Sequence, residues 1–440
     1  MEINTLLEQF INTECSCGKS HKIKLPKIIV KSGAINELPC LMKEYGFKKA
    51  QIIADKNTIK VAGNKICKIL ENNNLQYSLY VFNSTALEPD ENAVGSAVMH
   101  FDKSCDLVIG VGSGVINDIS KIVANVSKLP YFIVGTAPSM DGYASATSSM
   151  SMDGLKVSLP SKCADVIIGD IDVLKNAPIK MLQSGLGDML AKYVSIAEWR
   201  ISHEITNEYY CERVADLIRS ALKSCVDNAK GLLNREEKAV ESVFNGLVIG
   251  GVAMAFAGVS RPASGVEHYF SHIFDMRGLE YGKKVDLHGI QCAVATNIVS
   301  GLYEKVLSIT PDKEKATTYA QSFDFSEWAL TLKEFLGTGA NTMIAQEEKE
   351  QKYNLIKHQN RLEVIINKWN KICDIIQNEI PKQSKIQELL DIIGAPKTIK
   401  EIGIDCDLNL TLKATKDIRD KYVLSRLLWD LGVIEEFIID

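Results

Sequence analysis

The order of apolar and polar positions divides the chain into two parts. Up to about residue 174, short apolar runs alternate with segments in which apolar residues recur every three or four positions. This alternation predicts strands and helices in turn, as in a mostly parallel sheet. From about residue 176 onward, almost every segment has helical periodicity. The predicted strands cover residues 27–30, 51–54, 77–82, 107–111, 131–134 and 166–168.

The pattern therefore predicts a doubly wound α/β domain over residues 1–174, followed by an all-α domain over residues 175–440. In open parallel sheets, ligands bind outside the carboxyl ends of the strands. We expect the ligand site in a crevice there, next to the helical domain.

One helical segment, residues 347–377, differs from its surroundings because it is rich in charge. Its apolar residues recur at three- and four-residue steps, which predicts one amphipathic helix. Such a helix packs on its own domain, or it contacts a partner or a second copy of the chain. The apolar positions are Leu355, Leu362, Ile366, Trp369, Cys373 and Ile376.

Composition narrows the class of protein. Among 440 residues, 46% are hydrophobic and 24% are charged, which excludes a disordered chain. A net charge of -5 argues against a general nucleic-acid binder, although a local pocket can still bind a small anion. Eleven scattered cysteines do not form a disulfide framework, and the first residues lack a signal-peptide pattern. The apolar stretch 246–259 is too short to span a bilayer and predicts a buried helix, so we expect a cytoplasmic protein.

Three polar segments follow predicted strands. Residues 106–118 (DLVIGVGSGVIND) place alternating glycines at a strand-to-helix turn, which favours phosphate binding by backbone amides over a plain turn. The spacing is not that of the GxGxxG fingerprint. Asp55 follows the second strand and either binds a ribose or caps the next helix. In residues 135–145 (GTAPSMDGYAS), Asp141 is the only side chain that is charged at neutral pH, and it faces the crevice or serves as a turn residue.

The histidines include a candidate metal site. His268 and His272 are four residues apart, so they share one face of a helix, and His288 follows closely. Asp188, next to a glycine and before a helical segment, could add a carboxylate. Two imidazoles and one carboxylate with an open position are typical of a catalytic divalent metal, whereas single histidines more often have structural roles.

A second cysteine and histidine pattern lies near the start of the chain. Cys15, Cys17 and His21 have the spacing of half a zinc site, but no matching second half is obvious in the sequence. The alternative is a β-hairpin that turns at Gly18.

The motifs GVGSGVINDISKIVA, GTAPSMDGYAS, GLGDMLAK, RPASGVEHYFSHIFDM and LHG together resemble the sn-glycerol-1-phosphate dehydrogenase family. The resemblance is closest to its bacterial branch and runs in order from about residue 24 to 300. It implies the fold of the wider group of glycerol dehydrogenase, iron-containing alcohol dehydrogenases and dehydroquinate synthase. In that fold, residues 1–174 would form the dinucleotide-binding domain and residues 175–440 the helical domain that binds metal and substrate.

The resemblance also implies the roles of individual residues. Asp188, His268 and His288 would bind one divalent metal, zinc or nickel. Asp141 and His272 would contact the substrate, with Asp188 near it as well. The nucleotide would be contacted by Asp55, Gly112, Ser113, Gly114, Asn117, Asp118, Thr136, Ser139 and Ser145.

The implied reaction is the reversible, metal-dependent reduction of dihydroxyacetone phosphate to sn-glycerol 1-phosphate by NADH or NADPH. We also expect the chain to form a homodimer. A carboxylate at Asp55 would disfavour the 2′-phosphate of NADPH. The alternatives are an NAD- and metal-dependent lyase of the dehydroquinate synthase type, a polyol dehydrogenase acting on an unphosphorylated substrate, and a binding protein without catalysis.

A phosphorylated substrate needs a local anion site. Arg261 is the first candidate, because its planar guanidinium suits phosphate oxygens. Lys283, Lys284 and Lys192 are alternatives, and Arg261 could instead pair with Glu267 at a helix start.

Overall fold

The structure, a computed structural model, describes residues 3–84, 86–152 and 155–439. These residues form two compact units. The first comprises Met1–Met189 and Asp216–Val259, and the second Leu190–Ala215 and Ser260–Asp440. The boundary was expected between residues 174 and 175. The first unit instead extends to Met189 and also includes Asp216–Val259, which are helical.

All six predicted strands are present, each slightly longer than predicted. A further pair, which the sequence pattern did not indicate, follows the fifth strand. The strands are β1 (Lys27–Lys31), β2 (Lys49–Asp55), β3 (Gln76–Phe82), β4 (Leu107–Gly112), β5 (Tyr131–Gly135), β6 (Thr147–Met152), β7 (Leu155–Pro160) and β8 (Val166–Asp170).

Six of these strands form a parallel sheet in the order β1-β8-β5-β4-β2-β3. The chain adds β3 on one side of β2 and β4 on the other, so the direction of winding reverses at β2. Ala54 pairs with Val111, which brings the carboxyl ends of β2 and β4 side by side. Such a reversal point is where doubly wound sheets bind their ligands.

The antiparallel hairpin β6–β7 was missed by the sequence analysis. Residues 147–152 (TSSMSM) contain no β-branched apolar residue, so the usual strand signal is absent. The hairpin is nevertheless linked to the rest of the first unit, since Asp90 and Ser151 form a parallel bridge.

Helices fill the remainder of the first unit and form nearly all of the second, as predicted. They are α1 (Ile3–Ile11), α2 (Leu38–Glu44), α3 (Asn64–Asn72), α4 (Glu91–Met99), α5 (Gly114–Ser127), α6 (Ile171–Leu174), α7 (Ile179–Leu190), α8 (Lys192–Thr206), α9 (Glu212–Asp227), α10 (Glu237–Ala257), α11 (Val266–Glu280), α12 (His288–Val306), α13 (Lys313–Ser322), α14 (Phe325–Leu336), α15 (Ala340–Glu350), α16 (Leu355–Asn367), α17 (Trp369–Glu379), α18 (Gln383–Ile392), α19 (Leu408–Thr415) and α20 (Leu424–Asp430).

Helix α10 explains why the first unit includes a late stretch of the chain. The ring of Phe244 lies against Gly135 of β5 and Gly169 of β8, where a Cβ atom on either glycine would overlap it. By length and composition α10 could cross a membrane, but 72% of its most apolar window is buried in the structure. The helix is therefore part of a core, as the sequence predicted for residues 246–259.

The prediction of one continuous helix over residues 347–377 is wrong. Helix α15 ends with Gln351 in a left-handed conformation. Asn354 then caps α16, its side chain accepting hydrogen bonds from two backbone amides. Leu362 and Ile376 are buried in the core of the second unit, whereas Leu355 is 47% exposed. Leu362 and Ile376 thus pack on their own unit, and a contact with a partner through Leu355 remains a prediction.

Replacing Phe244 with alanine should destabilise the first unit by about 3–5 kcal/mol, because the loss of its ring leaves a cavity against Gly135 and Gly169, which have no side chains of their own. Urea unfolding measures the change. Met99→Ala, at a side chain that is 85% exposed, should stay within about 0.5 kcal/mol of the parent chain. Equal effects of the two substitutions would contradict this packing.

Candidate active site

The glycine-rich turn joins β4 to α5 in the first unit, as predicted. A Cβ atom on Gly112 would overlap the side chain of Ile116, so the strand and the helix can approach this closely only with glycine there. Ser113 precedes α5 and makes no side-chain capping hydrogen bond. The amides of Ser113 and Gly114 therefore begin a helix whose positive end suits a phosphate group.

Asp55 lies at the end of β2, and the pairing of Ala54 with Val111 sets it beside the glycine-rich turn. Its Oδ1 atom accepts hydrogen bonds from the amides of Asn57 and Thr58, at 2.7 and 2.8 Å. Of the two roles that the sequence left open for Asp55, the structure shows the bonding to the start of the next helix. A contact between Asp55 and ribose remains a prediction.

A buried lysine on α5 anchors the loop over residues 136–145. Lys121 is fully buried, and its Nζ atom donates to the carbonyl oxygens of Gly142 and Thr147, at 2.6 and 3.1 Å. Asn117 donates to the same Gly142 oxygen at 3.1 Å. Burial lowers the pKa of Lys121, and the carboxylate of Asp118, 3.8 Å away, partly offsets this. Helix α5 thus fixes the polar loop, with Asn117 acting through the backbone of that loop.

The start of the loop is held by hydrogen bonds between backbone and side chains. The Thr136 amide donates to the Gly112 carbonyl at 3.1 Å, and Ser184 of α7 donates to the Ser139 carbonyl at 2.9 Å. At the end of the loop, the Ser145 hydroxyl accepts from the Thr147 amide at 3.1 Å. The loop therefore has a defined conformation along its whole length.

Helix α7 contacts this loop through its backbone. A Cβ atom on Gly185 would overlap the carbonyl oxygen of Pro138, so only glycine fits. One turn later, the buried Asp188 accepts a hydrogen bond from the Asp141 amide at 3.0 Å. The predicted residues Asp141 and Asp188 are thus neighbours, joined from loop backbone to carboxylate.

In the second unit, two of the predicted metal ligands come together. The imidazoles of His268 on α11 and His288 at the start of α12 have ring centroids 5.0 Å apart. Ligand atoms of His268, His288 and Cys292 all lie within 4.8 Å of one another. The sequence analysis missed Cys292, although its position four residues after His288 on one helix was a signal.

A carboxylate fixes the tautomer of His268. Because an ionised carboxylate only accepts hydrogen bonds, His268 Nδ1 donates to Glu267 Oε1, at 2.7 Å. Nε2 is then the ring nitrogen that carries the lone pair. His288 Nδ1 lies 3.0 Å from the Ser271 hydroxyl. A carboxylate behind a ligating imidazole is the usual outer shell of a protein metal site, so this donor set fits a divalent ion.

Glu267 is itself positioned by a second buried carboxyl group, which the sequence analysis missed. Glu198 of α8 accepts hydrogen bonds from the amides of Val266 and Leu424, at 2.9 and 2.8 Å. Burial, together with the charge of Glu267, raises the pKa of Glu198 to about 8. Protonated near neutral pH, Glu198 holds the turn before α11 without adding a second buried charge.

The chain is similar in sequence to known dehydrogenases. Residues 29–178 match the family model for iron-containing alcohol dehydrogenase. The chain is 29% identical over 398 residues to the glycerol-1-phosphate dehydrogenase (NAD(P)+) of Halalkalibacterium halodurans, over 89% of this chain and 90% of the relative. It is 32% identical over 309 residues to the same-named protein of Geobacillus thermodenitrificans, over 69% and 76% of the two chains.

This chain belongs to the glycerol-1-phosphate dehydrogenase family. The resemblance seen in the sequence motifs is therefore confirmed. A probable glycerol dehydrogenase from Sinorhizobium meliloti matches 93% of this chain and 98% of its own with a TM-score of 0.57. At 16% identity that likeness concerns the fold alone, and it agrees with the predicted α/β and all-α organisation.

The surroundings of Arg261 differ from those expected of a residue that binds phosphate. The side chain is buried, and its guanidinium donates to Glu208, to the Ser202 hydroxyl and to the Tyr422 carbonyl. Arg261 therefore forms a structural ion pair, and its partner is Glu208 rather than the expected Glu267. Its role toward phosphate remains a prediction.

The lysine alternatives also differ in position. Lys192 is fully buried and donates to the Ala263 carbonyl at 3.1 Å. Lys283 and Lys284 are exposed. Two cations that the sequence analysis did not consider, Arg419 and Lys421, lie close enough to His272 to affect its protonation.

His272 is one turn after His268 on α11. Burial first, and then the charge of Arg419 and the neighbouring His288, lowers its pKa well below the ordinary value. His272 is therefore neutral at physiological pH. A neutral imidazole donates or accepts a hydrogen bond without repelling a nearby cation.

Gly185→Ala should cost about 3 kcal/mol or more of stability, because the new methyl group forces α7 away from the loop that contains Pro138. Gly95→Ala is the matched control, since it lies inside α4 with open space around its Cβ position. That change should stabilise the chain by about 0.5–1 kcal/mol. Thermal unfolding distinguishes the two, and a harmless Gly185→Ala would contradict the close contact.

Proposed function

We propose that this chain catalyses the reversible reduction of dihydroxyacetone phosphate to sn-glycerol 1-phosphate, using NADH or NADPH and one divalent metal. Membership of the glycerol-1-phosphate dehydrogenase family supports the reaction. The observation that carries the proposal is the pair of imidazoles, His268 and His288, of which the first is oriented by a buried carboxylate.

We assign the metal to His268, His288 and Asp188, with zinc and nickel as the candidate ions. When bound, the ion supplies positive charge opposite the carbonyl oxygen, and the nicotinamide supplies the hydride. Glu267 keeps His268 in the ligating tautomer. Its charge, held among buried groups, also strengthens the imidazole as a ligand.

The polar loop and the glycine-rich turn are assigned to the nucleotide. Gly112, Ser113 and Gly114 offer backbone amides to phosphate. Lys121 fixes the loop that carries the remaining predicted nucleotide contacts, Thr136, Ser139 and Ser145. We assign Asp55 to the ribose, which favours NADH over NADPH because a carboxylate repels the extra phosphate.

His272 and Asp141 are assigned to the substrate hydroxyl groups. Because its pKa is lowered, His272 is neutral and orients a hydroxyl by hydrogen bonding. The Asp141 amide is held by Asp188, which limits the positions open to the Asp141 side chain. Proton transfer to the alkoxide then involves one of these two polar groups.

We also propose that the enzyme is a cytoplasmic homodimer. All eleven cysteines lie in the described part of the chain and none forms a disulfide, which fits a reducing compartment. The acidic net charge of -5 speaks against nucleic acid as a partner.

The decisive assay follows NADH or NADPH oxidation with dihydroxyacetone phosphate, with and without added divalent metal. Continuous consumption supports a dehydrogenase, whereas a lyase of the dehydroquinate synthase type returns its NAD unchanged. His268→Ala should lower turnover about 1,000-fold or more, since several kcal/mol of charge stabilisation is lost.

Metal content and NADH fluorescence are also measured for His268→Ala and for the parent chain. Metal should be lost while nucleotide binding persists. His100→Ala, at an exposed histidine, is the control and should retain both. Near-normal activity of His268→Ala would refute the ligand assignment.

For the substrate phosphate we propose Arg419 and Lys421 ahead of Arg261. The Arg261 guanidinium is held by the Glu208 carboxylate, whereas Lys421 Nζ donates to the Ser264 carbonyl at 3.0 Å. Burial first, and then the charges of Arg261 and Arg419, lowers the pKa of Lys421 to about 7. Such a lysine loses its charge as the pH rises above 7, whereas a bound phosphate favours the charged form. The kcat/KM for dihydroxyacetone phosphate should therefore decline from pH 7 to 9.

Lys421→Ala should lower kcat/KM for dihydroxyacetone phosphate by roughly 30- to 1,000-fold, about 2–4 kcal/mol, and flatten that pH profile. Activity on unphosphorylated dihydroxyacetone should change little. Arg261→Ala is the comparison, and it should affect both substrates equally because it removes a buried side chain and the ion pair with Glu208. Selective loss with Arg261→Ala would return the phosphate to Arg261.

A further inference from the structure

A second group of metal-ligating side chains lies far from the proposed active-site histidines in sequence. Cys15, Cys17 and His21 lie between α1 and β1 of the first unit. Gly18 has a left-handed backbone, φ +79°, but residues 12–26 contain no strand, so the hairpin expected there is absent. The turn at Gly18 instead brings the three side chains together.

The donor atoms of this cluster have the spacing of a zinc site. Both sulfur atoms and a ring nitrogen of His21 lie within 4.8 Å of one another, and Cys17 Sγ is 3.2 Å from His21 Nε2. In a tetrahedral zinc site, with Zn–S near 2.3 Å and Zn–N near 2.0 Å, sulfur and nitrogen are about 3.5 Å apart. Shifts of a few tenths of an ångström would accommodate the ion.

The tautomer of His21 is also the one that metal binding requires. A carbonyl oxygen only accepts hydrogen bonds, so His21 Nδ1 donates to the Phe256 carbonyl at 3.0 Å. Nε2 therefore carries the lone pair, and it is the atom next to Cys17. Backbone carbonyls behind ligating imidazoles are common in metal sites.

Aromatic packing holds the imidazole in place. Phe10 of α1 stacks on Phe256 of α10 with ring centroids 4.4 Å apart, and the centroid of His21 is 5.5 Å from that of Phe10. His21 is only 4% exposed. The ligand geometry is thus set before any ion binds, which reduces the ordering cost of binding.

A simple thiol–imidazole hydrogen bond would account for Cys17 and His21. It would not account for the convergence of a second sulfur atom, from Cys15, on the same point. Two soft sulfur ligands and one imidazole favour zinc over magnesium, calcium or manganese. The geometry therefore favours a metal over a single hydrogen bond.

We propose that Cys15, Cys17 and His21 bind a structural zinc ion, separate from the catalytic metal. The ion fastens the segment after α1 to the carboxyl end of α10, where Phe256 lies. Zinc completes its tetrahedron with a fourth ligand. This inference does not depend on the reaction proposed above.

The first test compares the zinc content of the full-length protein with that of Cys17→Ser, both purified without chelator. The variant should contain one zinc ion fewer per chain. Cys40→Ser, at an exposed cysteine on α2, should keep the full content. A mercurial reagent should release that ion from the parent chain and from Cys40→Ser, but not from Cys17→Ser. A colorimetric zinc indicator measures the release.

The second test needs no substitution in the cluster, in case Cys17→Ser fails to fold. Zinc-edge X-ray absorption of Cys292→Ser, which removes the cysteine beside the active-site histidines, should still show sulfur ligands at about 2.3 Å. A spectrum with only nitrogen and oxygen ligands, or unchanged zinc in folded Cys17→Ser, would overturn the proposal.

Discussion

A charge removed from water must find partners, and this requirement organises both halves of the molecule. In the first unit the charge is the ammonium of Lys121, which is satisfied by the carbonyls of Gly142 and Thr147. An unpaired ammonium in that position would cost several kcal/mol, so the loop that supplies the carbonyls is held firmly. The loop conformation in turn sets where Asp141 meets Asp188.

The second unit meets the same requirement with carboxyl groups. Glu267 accepts from the Gly265 amide and from His268, and Glu198 accepts from the amides of Val266 and Leu424. One of the two carboxyls is neutral near pH 7, because their proximity and burial raise the pKa of Glu198. Electrostatics inside the unit therefore decides the tautomer of a predicted metal ligand.

Family membership and geometry support different parts of the functional assignment. The relatives indicate the reaction and the class of cofactor. The local contacts show how individual side chains are held, with His268 bonded to the Glu267 carboxylate and Arg261 to Glu208. They also indicate that His272 is neutral. Neither source would have been sufficient alone, since a motif does not report how a side chain is satisfied.

The sequence by itself determined the six parallel strands, the helical second half, the glycine-rich turn and the pairing of His268 with His288. Apolar periodicity and motif spacing are local properties, so they can be read along the chain. The tertiary structure decided the break within residues 347–377, the place of α10 in the first unit, and the partners of Lys121, Glu198 and Arg261. Arg261 and Glu208 are 53 positions apart, and a buried charge is satisfied by groups that only folding brings near.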